Sequence, residues 1–333
     1  MQISSLYTQF KSLTKSNEST NAFNVISLPN SKHKLGVSDE GFPKFFVFTN
    51  DSATSSNNIV RELLSVEYNQ PCTIVEDGGI SQSNVFSIIT LRATEEPLQS
   101  YFIEIFSMML SNLPETPSRR ELSVEVENLI SIFSALRKKP VKEIQGVWAE
   151  LLVIERSLHP ETLISAWHNQ PNAKFDFTMG RDKIEVKSTS SEDRKHHFAL
   201  DQLNPSINSR LLIASVIVRE SAECTGGLSV KGLYKKICSR VSAVNLQLKL
   251  YSTLATAIGS DYKNWDSVFF DYVEASDTLA FYNVDDIPRI LKSDVPEFVT
   301  EVKFCSDLSH LIDIKDSHSN FDRSDSVLFK SLF

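Results

Sequence analysis

The chain reads as an α/β protein, with an α+β segment ahead of a larger α/β core. Three observations point there. Up to about residue 115, short apolar runs (KFFVF, CTIVE, VFSIITLRA) alternate with loops rich in Ser and Asn, the pattern of short strands. Beyond that point, helix-period segments surround one sharply patterned hairpin. The 333 residues, 41% hydrophobic and 23% charged, are ordinary for a soluble globular protein and long enough for two domains or one large elaborated one. The expected division is an N-terminal α+β domain over 1–115 and a second domain with a C-terminal elaboration over 116–333.

In chain order, SYFIEIFSMMLSNL (Ser100 to Leu113) is an apolar helix closed by PETPS, and its Phe106, Met108 and Met109 are core residues. RRELSVEVENLISIFSALRKK is a second, amphipathic helix. KEIQGVWAELLVIERSL (Lys142 to Leu158) is a third, with Ile144, Val147, Trp148, Leu151, Leu152 and Leu158 on its apolar face. Glu150 falls at the edge of that face. Gly146, one turn earlier, leaves room for a backbone or ligand to approach.

The stretch Lys174 to Thr189, KFDFTMGRDKIEVKST, reads as a hairpin with one apolar and one charged face. Gly180-Arg181 suits a two-residue type II′ loop, with Gly at the first position. That loop pairs Met179 with Asp182, and counting back along the ladder sets Asp176 opposite Glu185. Directly opposed residues have Cβ atoms roughly 5 Å apart, so two carboxylates there repel unless a positive charge sits between them. A hard divalent cation supplies such a charge, since Mg²⁺ is typically held by one or two carboxylates with water and phosphate oxygens. Lys187, two residues beyond Glu185, would also neutralise either carboxylate without any metal. Downstream, HHFALDQL (His196 to Leu203) reads as a third strand after the hairpin, leading into a turn that carries Gln202 as a further polar group. LLIASVIV follows as a buried strand, then two helical stretches to about Ile258. WDSVFFDYVEA, LAFYNV and FVTEVKFCSDL read as strands, and the tail SHSNFDRSDSVLFKSLF as polar and mobile.

A Glu on a helix, then Asp, then Glu-x-Lys on adjacent strands, then Gln, resembles the PD-(D/E)XK nuclease superfamily. QGVWAELL, FDF, IEVKST and RKHHFALDQL carry the likeness, which is sharp over about sixty residues, Gln145 to Leu203. More narrowly, the run resembles a little-characterised prokaryotic PD-(D/E)XK family encoded in phage-defence and restriction-like gene clusters. Phe175 stands where the superfamily name has Pro, and Ala149 where relatives often have Gly. The resemblance implies a restriction-endonuclease-like core, a central mixed β-sheet flanked by helices, and Mg²⁺-dependent cleavage of DNA, with Mn²⁺ as a substitute. Asp176 and Glu185, with the Val186 carbonyl, would hold the metal. Glu150 would ligate a second ion or orient its water. Lys187 would position the attacking water and stabilise charge on the phosphate, and Gln202 would support them.

Composition bounds the partners. The net charge of −8 disfavours a chain that coats nucleic acid by itself, although local patches decide phosphate binding. Arg181, Lys183 and Arg194 lie near the hairpin as candidate backbone contacts. Arg137, Lys138, Lys139 and Lys142 form one further patch, and Lys231, Lys235, Lys236 and Arg240 another, on a helix. There is no P-loop, so any ATP-driven step calls for a separate ATPase or other defence subunit, and cleavage of both strands suggests a homodimer. Cys72, Cys224, Cys238 and Cys305 lack metal-finger spacing, and no run is long enough to span a bilayer. A cytoplasmic location is expected. The alternative is a catalytically silent nuclease-fold scaffold that binds DNA or partners in a defence complex.

Overall fold

A computed structural model describes the chain apart from residues 1–2, 16–20, 30, 51–57, 77–78, 169–172, 317–320 and 323. It is a mixed α/β protein in two compact units, Met1–Ser134 and Ala135–Phe333. Among the described residues no helix is long and apolar enough to cross a membrane.

The first unit holds α1 (Ile3–Ser12), β1 (Ala22–Ser27), β2 (Lys34–Val37), β3 (Pro43–Val47), β4 (Ile59–Val60), β5 (Leu64–Val75), β6 (Ser81–Leu91), α2 (Glu96–Ser111) and α3 (Arg119–Ala135). Its strands run in the order β1-β2-β3-β6-β5-β4, and β5 also pairs with β1, so the sheet closes on itself. Opposite β6, strand β5 serves β4 with Ser65 and Val66 and β1 with Thr73, Ile74 and Val75, and between those two stretches it is irregular from Glu67 to Gln70, where Asn69 takes φ +53°. Phe23, Val25, Phe46, Ile74, Phe86 and Ile88 fill one core. Phe45 turns to the helices, with ring centroids 5.3 and 5.0 Å from Phe102 and Phe106 of α2. The division at Ser134 places α3 with this unit, not with the segment after residue 115. The cause is its stripe of Leu122, Val126, Leu129 and Phe133, whose last ring meets Phe102 edge-on at 6.1 Å.

The second unit holds α4 (Ile144–Arg156), α5 (Pro160–Ala166), β7 (Phe177–Met179), β8 (Asp182–Thr189), β9 (Lys195–Ala199), β10 (Arg210–Ile217), β11 (Glu220–Ser221), β12 (Leu228–Ser229), α6 (Val230–Arg240), α7 (Val244–Ile258), β13 (Phe269–Phe270), α8 (Tyr272–Thr278), β14 (Ala280–Asn283), β15 (Lys303–Asp307) and α9 (Val327–Lys330). Its main sheet has the order β14-β10-β8-β7. The β8–β10 pair is parallel and the two outer pairs are antiparallel. Helix α4 is buried on every side from Val147 to Glu155, where an amphipathic helix with a solvated face was expected. It has neighbours on two flanks: Gln145 Nε2 donates to Ser188 Oγ on β8, and Trp148 Nε1 to the Leu228 carbonyl on β12.

Three expectations are corrected here. The strand at His196 belongs to a separate two-stranded layer with β15, and β10 is the third strand of the main sheet. The run WDSVFFDYVEA is a strand only at Phe269–Phe270. From Tyr272 it is helical, because Asp271 caps the helix by accepting from the Glu274 N–H at 2.9 Å. The tail reading covers residues 317–320 and 323, which lie outside the described residues, but its end is built into the fold. Ser326 caps α9 and donates to Asp182 Oδ2 at 2.7 Å, and Leu328 and Phe329 are fully buried. Phe329→Ala is therefore expected to cost about 3–5 kcal/mol in urea unfolding, whereas a loosely attached tail would leave the midpoint unchanged.

Candidate active site

Chain parity and turn geometry place the hairpin as the sequence reading expects. Gly180 has φ +57°, and Met179 pairs with Asp182, Thr178 with Lys183 and Phe177 with Ile184. The next pair would be Asp176 with Glu185, and there the ladder stops. Asp176 spends its side chain on the strand edge: its Oδ2 accepts from the Val186 N–H at 2.7 Å. Its own carbonyl accepts from the His168 N–H at 2.9 Å. The direction of the Val186 carbonyl follows from the ladder. The carbonyls of Arg181 and Thr189 accept from Arg210 and Val218, so odd-numbered β8 residues bond toward β10 and even-numbered ones toward β7. A residue's N–H and C=O leave a strand on the same side. The Val186 carbonyl thus points to the edge beyond the end of β7, beside Asp176.

Three carboxylates from separate segments converge on this edge, and all are buried: Glu150 is 3% exposed, Asp176 8% and Glu185 4%. Buried carboxylates need partners, and each has them. Glu150 Oε2 accepts from Trp167 Nε1 at 2.7 Å, and its Oε1 from Lys142 Nζ at 2.6 Å. Lys142 Nζ also donates to Asp176 Oδ1. Glu185 Oε1 accepts from Gln202 Nε2 and, at 3.0 Å, from Lys187 Nζ. Gln202 is itself oriented, because its Oε1 accepts from the Ala199 N–H at 3.0 Å and from Lys187 at 3.2 Å. Lys187 Nζ lies 5.2 Å from the Phe198 ring centroid, close enough for a cation–π contact. Glu150, Asp176, Glu185, Lys187 and Gln202 are thus brought together.

Lys142 and Trp167 complete the cluster without having been expected there. Lys142 stands two residues before α4, outside the helical repeat that carries Glu150, so helix spacing gave no signal for it. Trp167 carried none either. The expected phosphate contacts stand elsewhere. Arg181, at the hairpin turn, pairs with Asp325, and Lys183 Nζ donates to the Gly180 carbonyl at 2.8 Å. Arg194 turns inward, donating to the Ser215 carbonyl and hydroxyl at 2.9 and 3.0 Å and to the Thr278 carbonyl, which corrects its reading as a backbone contact. In the second basic patch, Lys231 pairs with Asp266 at 2.9 Å, and Arg240 donates to the carbonyls of Glu155 and Ser157.

Among the described residues no three His, Cys, Asp or Glu side chains are gathered closely enough to cage a metal ion. The donor set nevertheless suits a hard cation, which needs only one or two carboxylates with other oxygens. The Lys142 ammonium already occupies the cationic position shared by Glu150 and Asp176, and the Val186 carbonyl adds a further oxygen.

Crowding shifts the ionisation of these groups. Burial first, then the Asp176 charge, pushes Glu150 and Glu185 up to about 8. Burial works against the charge on Lys142, yet Glu150 and Asp176 hold its ammonium above the ordinary range. A carboxyl raised from its usual 4.5 binds protons in the folded chain that the unfolded chain has released. Its contribution to stability is complete below about pH 4.5 and is lost as the pH rises to about 8. With a chelator present, Glu185→Gln should gain on the parent protein between pH 5 and pH 8 by roughly 1–3 kcal/mol in urea unfolding. A difference that stays flat with pH would mean that Glu185 ionises freely.

The family model DUF4420, described as a PD-(D/E)XK family member, matches residues 6–309. No curated protein and no solved structure matches the chain. With nearly its whole length matched, the chain belongs to this PD-(D/E)XK family.

Proposed function

We propose that the protein is a metal-dependent endonuclease that hydrolyses DNA phosphodiester bonds, with the β14-β10-β8-β7 sheet and α4 forming a restriction-endonuclease-like core. The observation that carries this reading is the meeting of Glu150 on α4, Asp176 just before β7, and Glu185 and Lys187 on β8, at one edge of the sheet. Asp176, Glu185 and the Val186 carbonyl would hold Mg²⁺ or Mn²⁺, with Glu150 within reach of the same region. The bound ion would polarise the phosphoryl oxygen and make water a stronger nucleophile at neutral pH.

The chain's own residues supply positioning and charge, the main contributions to phosphoryl transfer. Lys187 sets an ammonium beside the cluster, and the Gln202 carbonyl oxygen and the Phe198 ring hold it there. Gln202 ties Lys187 to Glu185, so that the two keep one geometry. Trp167 fixes the Glu150 carboxylate through Oε2. The phosphate backbone of the substrate would lie against the open side of this cluster, where Lys187 meets charge building on the nonbridging oxygens.

The same reading places the chain in a prokaryotic restriction or phage-defence system. What supports recruitment by a partner subunit, or action as a homodimer, is the net charge of −8 together with the internal pairing of Arg181, Arg194, Lys231 and Arg240. One observation favours the silent scaffold as second reading: Lys142 satisfies Glu150 and Asp176 without a metal ion. Nicking of supercoiled plasmid with Mg²⁺ or Mn²⁺ separates the two. The intact protein is expected to cut, and Asp176→Ala and Lys187→Ala to lose about 10²–10³-fold or more. Gln202→Ala should fall less, by about tenfold. Metal-dependent cutting that survives Asp176→Ala would remove the site assignment.

A further inference from the structure

Lys142 occupies a place that the PD-(D/E)XK pattern does not call for, and its contacts define a job. Its backbone is tied down: the N–H groups of Val141 and Lys142 both donate to the Ala257 carbonyl at the end of α7, at 2.9 and 3.3 Å. From there the side chain reaches into the carboxylate cluster, with its ammonium on Glu150 Oε1 and Asp176 Oδ1. The other oxygens of those carboxylates are committed elsewhere, Glu150 Oε2 to the Trp167 indole and Asp176 Oδ2 to the Val186 N–H. The two oxygens left to bind a shared cation are therefore the two that hold Lys142.

Space and charge both argue against Lys142 and a divalent ion sharing that position. Mg²⁺ needs oxygens at about 2.0–2.1 Å, and the ammonium already lies 2.6 Å from Glu150 Oε1. Once an entering ion has displaced the protons held by Glu150 and Glu185, the three carboxylates carry three formal negative charges against two from Lys142 and Lys187. A divalent ion added beside both lysines would leave a buried excess of positive charge, which a low-dielectric site disfavours. With Lys142 withdrawn, one lysine and one divalent ion balance the three carboxylates. An exit is open, since the Lys142 side chain is 25% exposed. In the first turn of α4, no atom beyond the neighbouring residues and the helix's own backbone lies within 4 Å of where a Gly146 Cβ would stand.

Resting on the nuclease reading, we infer that Lys142 is a placeholder cation, exchanged for the divalent ion and released toward the mouth of the site when that ion enters. In the metal-free chain it is a positioning residue that keeps Glu150 and Asp176 together. It also sets a threshold for cation entry, because an ion must displace it.

Lysine acetylation mapped by mass spectrometry, on the full chain, tests the exchange. Lys142 should label slowly in EDTA and at least tenfold faster with saturating Mn²⁺, and Asp176→Asn should abolish that metal dependence. Calorimetry with Mn²⁺ alone should show Lys142→Met binding at least tenfold more tightly than the parent, and the variant should gain more thermal stability from the ion. Mn²⁺ binding that depends on Asp176 while Lys142 stays protected would overturn the exchange and leave the nuclease reading standing. Absence of any Asp176-dependent cation binding would overturn both.

Discussion

Everything in the second unit is arranged around three carboxylates that are buried together and held by two ammonium groups. Such a cluster is stable only if each carboxylate has donors and the charges nearly cancel. The surrounding structure meets that demand element by element. Strand β7 is three residues long because Asp176 leaves the ladder to accept from the Val186 N–H. Helix α4 is buried all round, so Glu150 cannot reach water for a partner and takes Trp167 and Lys142 instead. The short helical turn after β9 exists at the right place to bring Gln202 onto Glu185 and Lys187.

Two further layers hold this arrangement in place. On the sheet face that carries Glu185 and Lys187, Ile213 and Ser215 are the β10 neighbours in register. Over the same face, Phe198, Leu203 and Leu308 pack against Leu211, Ile213 and Tyr282. Behind Lys187, His196 Nε2 meets Ser215 Oγ at 2.8 Å, and burial, with Lys187 and Arg194 nearby, lowers its pKa to about 4. A neutral imidazole there adds no further positive charge beside Lys187. At the other end of β8, Asp182 is bound by Arg210 and Ser326, which anchors the C-terminal residues to the strand that carries the site.

Much of the site was legible because its signals are local. A glycine at the first loop position fixes the turn, the turn fixes the register, and period-two alternation then fixes which residues share a face. Asp176, Glu185 and Lys187 follow from that alone. The family model agrees with the family that those residues suggest. Other readings failed where a stronger local or distant interaction won. The run after Trp265 suggested one strand, and the Asp271 cap ends it at Phe270 and starts a helix at Tyr272. A polar tail suggested mobility, and Leu328 and Phe329 found a core. Arg194 suggested a phosphate contact, and found buried carbonyls.

By itself the sequence determined the α/β class, the hairpin and its charged face, because these depend on alternation and turn chemistry within about ten residues. Only the tertiary structure decided that β9 pairs with β15 and not with the main sheet. It alone also decided that Trp167 binds Glu150 and that Lys142 bridges Glu150 and Asp176. Those pairings join residues 8 to more than 100 positions apart. They were chosen by the need to satisfy buried polar groups, a condition that arises only once the elements have packed.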